Sequence, residues 1–383
     1  MAVVTCIADL RERARRRIPR AIFDYANGGS YDEVTLRRNR SALDALEFRQ
    51  RVMIDLSSLS VATTVLGKPW SMPVAIAPTG LTGLFHRDGE IHGARAAAAA
   101  GVPFTLSTMS ICSIEDVAGA VDKPFWFQLY LMRDRGFNEE LIARAVAARC
   151  SALVLTVDLT VQGLRRRDVR NGLSVPPRLT LRNALDIASK PAWALGVLLG
   201  RRRTFGNLEA HMKGTRDLLT LSQWIASQFD ASITWKEIDW VRARWPGKLI
   251  VKGILDAEDA RLAYAAGVDA IVVSNHGGRQ LDGAPASITV LPEVVAAVAG
   301  RAEVLFDGGI ECGQDVLKAL ARGARACLIG KSFLYALAAD GEAGVRLALD
   351  ILRRELEVSM ALAGVTDVRN VDGRVLRGGA AAP

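Results

Sequence analysis

Eight short apolar runs, most of them followed by a helical pattern, constrain the fold of this chain more than any other feature. Most runs are continuously apolar rather than alternating, which is typical of parallel strands covered on both faces. The runs cover residues 73–78, 103–108, 125–130, 152–158, 249–253, 270–276, 303–309 and 326–331. Helical patterns between them cover residues 89–101, 138–150, 256–267 and 312–324. The alternation predicts an α/β fold, a (β/α)8 TIM barrel; a doubly wound open sheet is the structural alternative.

Two stretches of the sequence do not fit the alternation of strands and helices. Residues 1–70 precede the first run and predict an N-terminal extension of helices and a hairpin. About ninety residues separate Asp158 from Leu249, far more than one crossover helix needs. We therefore predict an insertion at residues 159–230, leaving the carboxyl end of the fourth strand and covering the mouth of the barrel. With these additions a single domain accounts for residues 1–383.

Composition and charge exclude several classes of protein. The net charge is +8, but the basic residues are spread and no aromatic residues lie among them to stack bases, which argues against a nucleic-acid partner. The five cysteines are scattered without a CxxC pair, so we expect reduced thiols and predict no metal site. The amino terminus lacks the order of a signal peptide, and no stretch is long and apolar enough for a transmembrane helix. These features predict a cytoplasmic protein.

Polar residues and glycines occupy the carboxyl ends of nearly all the predicted strands. In a barrel these ends meet at one mouth, where ordinary core would supply valine, isoleucine or leucine. The residues at or just beyond the ends are Thr79, Gly80, Ser107, Gln128, Tyr130, Thr156, Asp158, Lys252, Ser274, His276, Asp307, Gly308, Gly309, Gly330 and Lys331. The last five belong to the two final strands, where barrels often bind phosphate. A phosphate site beside a lysine and several hydroxyl and amide donors favours flavin mononucleotide (FMN) as the cofactor.

The sequence SNHGGRQLD, residues 274–282, places a histidine and an arginine where the sixth strand gives way to a glycine-rich loop. Imidazole titrates near neutral pH, so His276 is a candidate general base. The guanidinium of Arg279 can clamp a carboxylate with two hydrogen bonds. A base beside a carboxylate clamp predicts an enzyme whose substrate is a small acid with an oxidisable centre.

These motifs resemble the FMN-dependent L-2-hydroxy acid dehydrogenases and oxidases, a family that includes glycolate oxidase and the bacterial L-lactate and (S)-mandelate dehydrogenases. SNHGGRQLD is the most specific element, and WFQLY (126–130), TVD (156–158) and VKGI (251–254) agree with the family in order and spacing. The similarity extends from FDYANGG (23–29) to the C-terminal helix. It implies oxidation of a lactate-like or mandelate-like L-2-hydroxy acid to the 2-oxo acid. Other phosphate-binding barrel enzymes are a rival interpretation, against which SNHGGRQLD argues.

The resemblance also implies roles for individual residues. Catalytic roles fall to His276, Asp158, Tyr130 and Arg279, with His276 as the base and Asp158 stabilising its protonated form. The substrate is bound by Tyr25, Tyr130, Arg165, His276 and Arg279. FMN is bound by Thr79, Gly80, Ser107, Gln128, Thr156, Lys252 and Ser274, and its phosphate by Asp307, Gly308, Gly309, Gly330 and Lys331.

The resemblance leaves the second half of the reaction open. A dehydrogenase of this family passes electrons to a quinone or a cytochrome, whereas an oxidase passes them to oxygen and makes hydrogen peroxide. Gly80 favours the dehydrogenase. Whether the substrate loses a hydride or first forms a carbanion is also open. A homotetramer is the assembly that the resemblance implies.

Two residues depart from the family pattern at the predicted phosphate site. Glu311 and Lys331 each stand where the family usually has arginine. A carboxylate about 4 Å from a phosphate costs on the order of 4 kcal/mol at an effective dielectric constant of 20. Either FMN therefore binds weakly, or Glu311 turns away and pairs with an arginine. A family member with altered FMN binding and a specialised substrate is the alternative function that this departure suggests.

The insertion contains an apolar stretch, residues 191–203, that ends in three arginines. Arg178, Arg182 and Lys190 lie close by in sequence. An apolar segment with basic residues is typical of a helix lying in a membrane interface, which would place the protein peripherally on the cytoplasmic face of the inner membrane. The other interpretation is an active-site lid with a solvated basic face.

Overall fold

The computed structural model describes residues 3–173, 180–202, 204–209 and 228–379. Within these ranges the strands are β1 Thr63–Val65, β2 Lys68–Trp70, β3 Val74–Ile76, β4 Thr105–Ser107, β5 Trp126–Leu129, β6 Ala152–Thr156, β7 Lys248–Ile254, β8 Ala270–Val273, β9 Glu303–Asp307 and β10 Ala326–Ile329. Strands β3 to β10 form one parallel sheet in the order β3-β10-β9-β8-β7-β6-β5-β4. A parallel bridge between Ile76 and Phe104 joins its two edges and closes the barrel. The predicted TIM barrel is therefore confirmed, with a strand at each of the eight apolar runs.

The helices interleave with the strands. They are α1 Ile7–Arg17, α2 Arg20–Asn27, α3 Val34–Asp44, α4 Gly89–Ala100, α5 Ile114–Ala118, α6 Arg135–Ala147, α7 Arg166–Arg170, α8 Leu181–Ala188, α9 Pro191–Leu198, α10 Lys236–Arg242, α11 Ala257–Ala265, α12 Ser287–Val298, α13 Gly313–Ala321 and α14 Lys331–Leu362. The backbone of α14 is non-helical at Asp340 and Gly341. Helices α4, α6, α11 and α13 match the four helical patterns in the sequence.

The strands are apolar because both of their faces are covered. All residues of β5, β6, β8 and β10 are buried. One set of side chains fills the barrel interior, including Val154, Ile250 and Leu305, and the other packs against the surrounding helices. Burial on both sides explains why the runs show no alternation.

The amino-terminal segment covers two parts of the barrel. Helix α1 packs along α14, on the outside of the barrel. The hairpin formed by β1 and β2 carries Trp70, whose ring lies 5.6 Å from that of Trp126 on β5, at the end where the strands begin. The carboxyl ends of the strands are left to form the mouth.

The insertion after β6 contributes three short helices to the described residues. Neither α8 nor α9 buries a single residue. Hydrogen bonds contribute to their attachment: Trp193 Nε1 donates to the Leu84 carbonyl at 2.7 Å, and Lys190 Nζ donates to the Arg16 carbonyl at 2.7 Å. The partly buried Trp193 also packs against the hydrophobic core. Of the basic residues between positions 178 and 203, Arg178 and Arg203 lie outside the described residues. No helix in the described part of the chain is long and apolar enough to cross a membrane.

Candidate active site

A cavity of about 460 Å³ lies at the carboxyl ends of the barrel strands. The predicted residues that line it are Tyr25, Thr79, Gly80, Ser107, Tyr130, Arg165, Lys252, His276, Arg279, Asp307, Gly308, Gly309, Gly330 and Lys331. Four further predicted residues, Gln128, Thr156, Asp158 and Ser274, do not line the cavity. They are buried or nearly so beneath it. The structure thus brings every residue singled out from the sequence to one mouth, although the chain separates the outermost of them by about three hundred positions.

A histidine that lines the cavity is held by a carboxylate beneath it. His276 Nδ1 lies 2.9 Å from Asp158 Oδ1, so the other imidazole nitrogen, Nε2, is left for a ligand. The backbone of His276 has φ +58°, a left-handed conformation that residues other than glycine rarely adopt. Such strain persists where surrounding contacts enforce it, which is typical of functional residues.

The protonation of this pair is set by burial and by its neighbours. Burial is the largest influence on Asp158, but its contact with His276 and the charge of Lys252 outweigh it and hold the pKa of the carboxyl below its ordinary value. Burial is also the largest influence on His276 and lowers its pKa, with Lys252 and Arg165 acting in the same direction and Asp158 opposing them. At neutral pH the carboxylate is therefore charged and the imidazole neutral, which is the state a general base requires.

The loop that carries His276 is fixed against the amino-terminal helices. The amide groups of Asn275 and Asn39 exchange two hydrogen bonds of 2.8 and 2.7 Å. Gly278 approaches α3 so closely that a Cβ would lie 2.6 Å from the backbone nitrogen of Leu36. The glycines and polar residues of SNHGGRQLD therefore serve to seat the loop, which explains why the motif extends beyond the base itself.

Two guanidinium groups lie around the ring of Tyr25. Arg279 lies 4.7 Å from the ring centroid and donates to the carbonyls of Tyr25 and Gly28. Arg165 lies 5.8 Å from the same centroid, and its Nε is buried without a hydrogen-bond partner among the described residues. Burial, and next the charge of Arg165, lower the pKa of Arg279. Two partly buried cations on one side of the cavity attract an anion, and Arg165 retains an unpaired donor for it.

Beneath the cavity lie unpaired donors of another kind. Gln128 Nε2 and Thr156 Oγ1 are buried and have no hydrogen-bond partner among the described residues. Leaving such groups unpaired is costly, so they indicate a polar ligand. Lys252 Nζ lies 2.9 Å from Ser274 Oγ and 2.8 Å from Asp307 Oδ2. Burial works against its charge, but Asp307 and Asp158 raise the pKa of Lys252 above its ordinary value. A fixed cation beside amide and hydroxyl groups fits the polar edge of a flavin ring.

The predicted phosphate end differs from expectation at Lys331. The backbone of Gly308 and Gly309 has φ +126° and +94°, and Gly330 precedes the first turn of α14. Lys331, however, donates from Nζ to the carbonyls of Ala26 at 2.7 Å and Gly28 at 2.8 Å. Its ammonium group thus binds the end of α2, and the prediction that it supplies a charge to the phosphate finds no support in this arrangement.

Some residues of the cavity were not identified from the sequence. Asp168 lines the cavity, and its Oδ2 lies 3.7 Å from Arg165 Nη1. The three-residue spacing between Arg165 and Asp168, which brings side chains together on a helix, could have indicated this pair from the sequence. Met109, which follows the end of β4, also lines the cavity. Phe205 and Phe229 reach it from the insertion, where no pattern in the sequence indicates their position.

A family profile described as FMN-dependent dehydrogenase matches residues 14–378 of this chain. The chain belongs to the family of FMN-dependent dehydrogenases. The L-lactate dehydrogenase of Caulobacter sp. (strain K31) is 48% identical over 375 residues, which is 98% of each chain. The L-lactate dehydrogenase of Pseudomonas aeruginosa (strain LESB58) is 47% identical over 370 residues, 96% of this chain and 97% of the relative. The enzyme class and the FMN cofactor predicted from the sequence are therefore confirmed.

Solved structures of the family have the same fold over nearly the whole chain. A structure described as monotopic membrane protein (S)-mandelate dehydrogenase matches with a TM-score of 0.93 and 37% identity, covering 98% of this chain and 100% of the other. A mandelate oxidase matches with a TM-score of 0.83 and 40% identity, covering 98% of both chains. The family thus includes proteins named for lactate and for mandelate, and both dehydrogenases and an oxidase.

Proposed function

We propose that this FMN-dependent dehydrogenase oxidises an L-2-hydroxy acid to the corresponding 2-oxo acid. One observation carries the proposal: an imidazole held by a carboxylate lies in the same cavity as two partly buried guanidinium groups. The substrate needs both features, because its carboxylate requires a cation and its hydroxyl or α-carbon must lose a proton. FMN, when bound, supplies the acceptor for two electrons.

The cavity residues divide the work between binding and proton transfer. Arg165 and Arg279 hold the carboxylate, and the neutral His276 takes the proton through Nε2. Asp158 then stabilises the imidazolium that forms. Burial raises the pKa of Tyr130, so its hydroxyl stays protonated and donates to the substrate. The fixed orientation of these groups at one cavity reduces the entropy lost on reaching the reactive geometry.

The remaining cavity residues hold the cofactor. The buried donors of Gln128 and Thr156 and the ammonium group of Lys252 fit the polar edge of the flavin ring. Gly80 lets its strand end approach Met109 closely, since a Cβ there would lie 3.1 Å from the Cβ of Met109. The glycines at the ends of β9 and β10 surround the phosphate end.

Lactate is our first candidate substrate, since the relatives at 47% to 48% identity are named for it. The second candidate is a mandelate-like acid with a larger side chain. It is favoured by the apolar residues Met109, Leu159, Phe205 and Phe229, all of which line the cavity. Such a wall accepts an aromatic ring without desolvating a polar group.

The electron acceptor that we propose is a membrane quinone. Support comes from five leucines, which we call the leucine surface: Leu181, Leu185, Leu195, Leu198 and Leu199. They lie on or at the end of α8 and α9, and their exposure runs from 55% to 78%. Exposed apolar patches of this kind mark interaction sites. A solved relative at 37% identity is described as monotopic, that is, bound to one face of the membrane.

The leucine surface also suggests where the protein lies in the cell, whereas the number of subunits has to be measured. We place the protein in the cytoplasm, held peripherally at the inner face of the inner membrane by the leucine surface and its neighbouring basic residues. The homotetramer expected from the resemblance stays a prediction. Size-exclusion chromatography with light scattering measures it directly.

An anaerobic visible spectrum of the purified, FMN-supplemented protein tests the proposed function. We expect L-lactate, the first candidate, or (S)-mandelate, the second, to abolish the visible absorbance band of the flavin. D-Lactate should leave this band unchanged. Air admitted afterwards separates the acceptors: slow return of the absorbance indicates a dehydrogenase, and rapid return with hydrogen peroxide indicates an oxidase. A bound flavin that neither acid reduces would contradict the proposal for both substrates.

A further inference from the structure

Glu311 faces the part of the cavity where a phosphate would be bound. It lines the cavity together with Gly308, Gly309 and Gly330, which form the turns at the ends of β9 and β10. Its backbone N–H donates to Asp315 Oδ2 at 2.9 Å, which fixes the position of the residue. Within the described residues its carboxylate has no hydrogen bond or ion pair. The expectation that Glu311 turns away to pair with an arginine is therefore not met among these residues.

The cations near this end of the cavity are engaged elsewhere. Lys331 donates to the carbonyls of Ala26 and Gly28. Arg40 contacts the carbonyl of Gly309 at 3.1 Å, but its guanidinium is bonded to Asp315 by two hydrogen bonds of 2.7 Å. Neither group is left to neutralise a phosphate dianion, and Glu311 adds a negative charge.

Burial also weakens Lys331 as a phosphate ligand. Burial is the largest cause that holds the pKa of Lys331 well below its ordinary value; the charges of Arg279 and Arg165 act in the same direction, and those of Glu33 and Glu311 oppose them. A lysine that binds two backbone carbonyls in this setting contributes to the packing of α2 against α14. The attraction that remains for a phosphate comes from backbone N–H groups and the amino end of α14, which are partial charges.

We propose that this protein selects its flavin by the ring and the ribityl chain and only weakly by the 5′-phosphate, so that riboflavin binds almost as tightly as FMN. Glu311 is the residue that determines this relaxed selection. The ring end has the donors of Gln128, Thr156 and Lys252, whereas the phosphate end combines an unpaired carboxylate with cations bonded to other groups. The inference rests on the proposed function only in placing the flavin in this cavity.

The ratio of the riboflavin and FMN dissociation constants tests the proposal, because ring and ribityl contacts are common to both ligands. Full-length protein freed of flavin is titrated with each ligand, and quenching of flavin fluorescence is followed. We expect a ratio of about ten or less in the natural protein. Glu311→Gln should raise the ratio about tenfold or more, a step that corresponds to about 1.4 kcal/mol.

Two further variants make the result specific. Glu293→Gln removes the same charge from the exposed outer side of α12 and should leave the ratio unchanged. Lys331→Gln keeps a donor for the carbonyls of α2 and should also leave the ratio unchanged, because the ammonium group does not serve the phosphate.

Three outcomes would overturn the proposal. The first is a ratio that does not rise in Glu311→Gln, or that rises equally in Glu293→Gln. The second is a ratio that falls clearly in Lys331→Gln because FMN binds more weakly, which would mean that the lysine contacts the phosphate. The third is the absence of binding by either flavin, which would also remove the basis of the proposed function. Reduction of bound flavin by L-lactate with an unchanged ratio would overturn this inference alone.

Discussion

Gly253 lies so close to Asp158 that no side chain fits between them. A Cβ on Gly253 would lie 2.6 Å from both Cβ and Cγ of Asp158. The glycine has φ +113° and lies where the register of β7 shifts between Lys252 and Ile254. This irregularity in the strand makes room for the carboxylate that holds His276. The glycine of VKGI therefore supports the active site, although it does not line the cavity.

Gly253→Ala should reduce turnover while leaving the flavin bound. The added methyl group displaces Asp158, and a shift of about 1 Å at a catalytic group can cost on the order of a hundredfold in rate. Steady-state kinetics with L-lactate measures the loss, and the flavin absorbance of the purified variant shows that the cofactor remains.

Gly267→Ala is the matched control for that substitution. Gly267 also has a positive φ, +76°, but a Cβ there meets nothing within 4 Å. Alanine in the left-handed region of Gly267 costs about 1–2 kcal/mol, and alanine at φ +113° is strained as well, so both variants should lose thermal stability. Only Gly253→Ala should lose turnover, and equal losses in the two variants would contradict the assigned role.

His276→Gln tests the proposed base directly. Glutamine preserves bulk and polarity but accepts no proton, so kcat should fall by about 10² to 10⁴. The flavin absorbance of the purified variant should be unchanged, because the donors that fit the ring belong to other residues. Turnover close to that of the natural protein would eliminate His276 as the base.

The environment of His276 also fixes the pH dependence of the reaction. The base must be neutral, and burial lowers its pKa below the ordinary value of 6.5. Log kcat/KM should therefore be level at neutral pH and decline only when the pH falls below this value. Asp158 favours the imidazolium, so Asp158→Asn should lower the pKa of His276 further and move the acidic limb to still lower pH. A limb that moves to higher pH in this variant would contradict the pairing.

Arg165 should contribute more to substrate binding than its neighbours in the RRR run. A hydrogen bond to a charged group contributes about 1.5–3 kcal/mol, so Arg165→Lys, which loses the guanidinium fork, should raise KM for L-lactate about tenfold or more. Arg166→Lys is the control, because Arg166 points away to an exposed ion pair with Asp32. An unchanged KM in Arg165→Lys, or an equal rise in both variants, would count against the carboxylate site.

The barrel and the centre of the site were predictable because their signals are local. Continuous burial leaves apolar runs, and His276 and Arg279 belong to one loop motif. The roles of Lys331 and Gly253 were not predictable in this way. Each depends on a contact with a distant segment, the carbonyl of Ala26 and the carboxylate of Asp158 respectively. A residue type at a strand end indicates that a group is available, but only the packing shows which partner it binds.

The leucine surface should bind lipid. We expect the natural protein to sediment with vesicles that contain anionic lipid, more strongly at low than at high salt, since Arg182 and Lys190 lie beside the leucines. Each leucine that leaves water contributes about 1.5–3 kcal/mol, so Leu195→Glu with Leu199→Glu should weaken vesicle binding about a hundredfold or more. Leu262→Glu, on the exposed side of α11, is the control and should have no effect. If the surface instead joins two copies of the chain, the double variant would lower the molar mass in light scattering and leave vesicle sedimentation unchanged. That outcome would contradict the membrane contact and, with it, the main support for a quinone as electron acceptor.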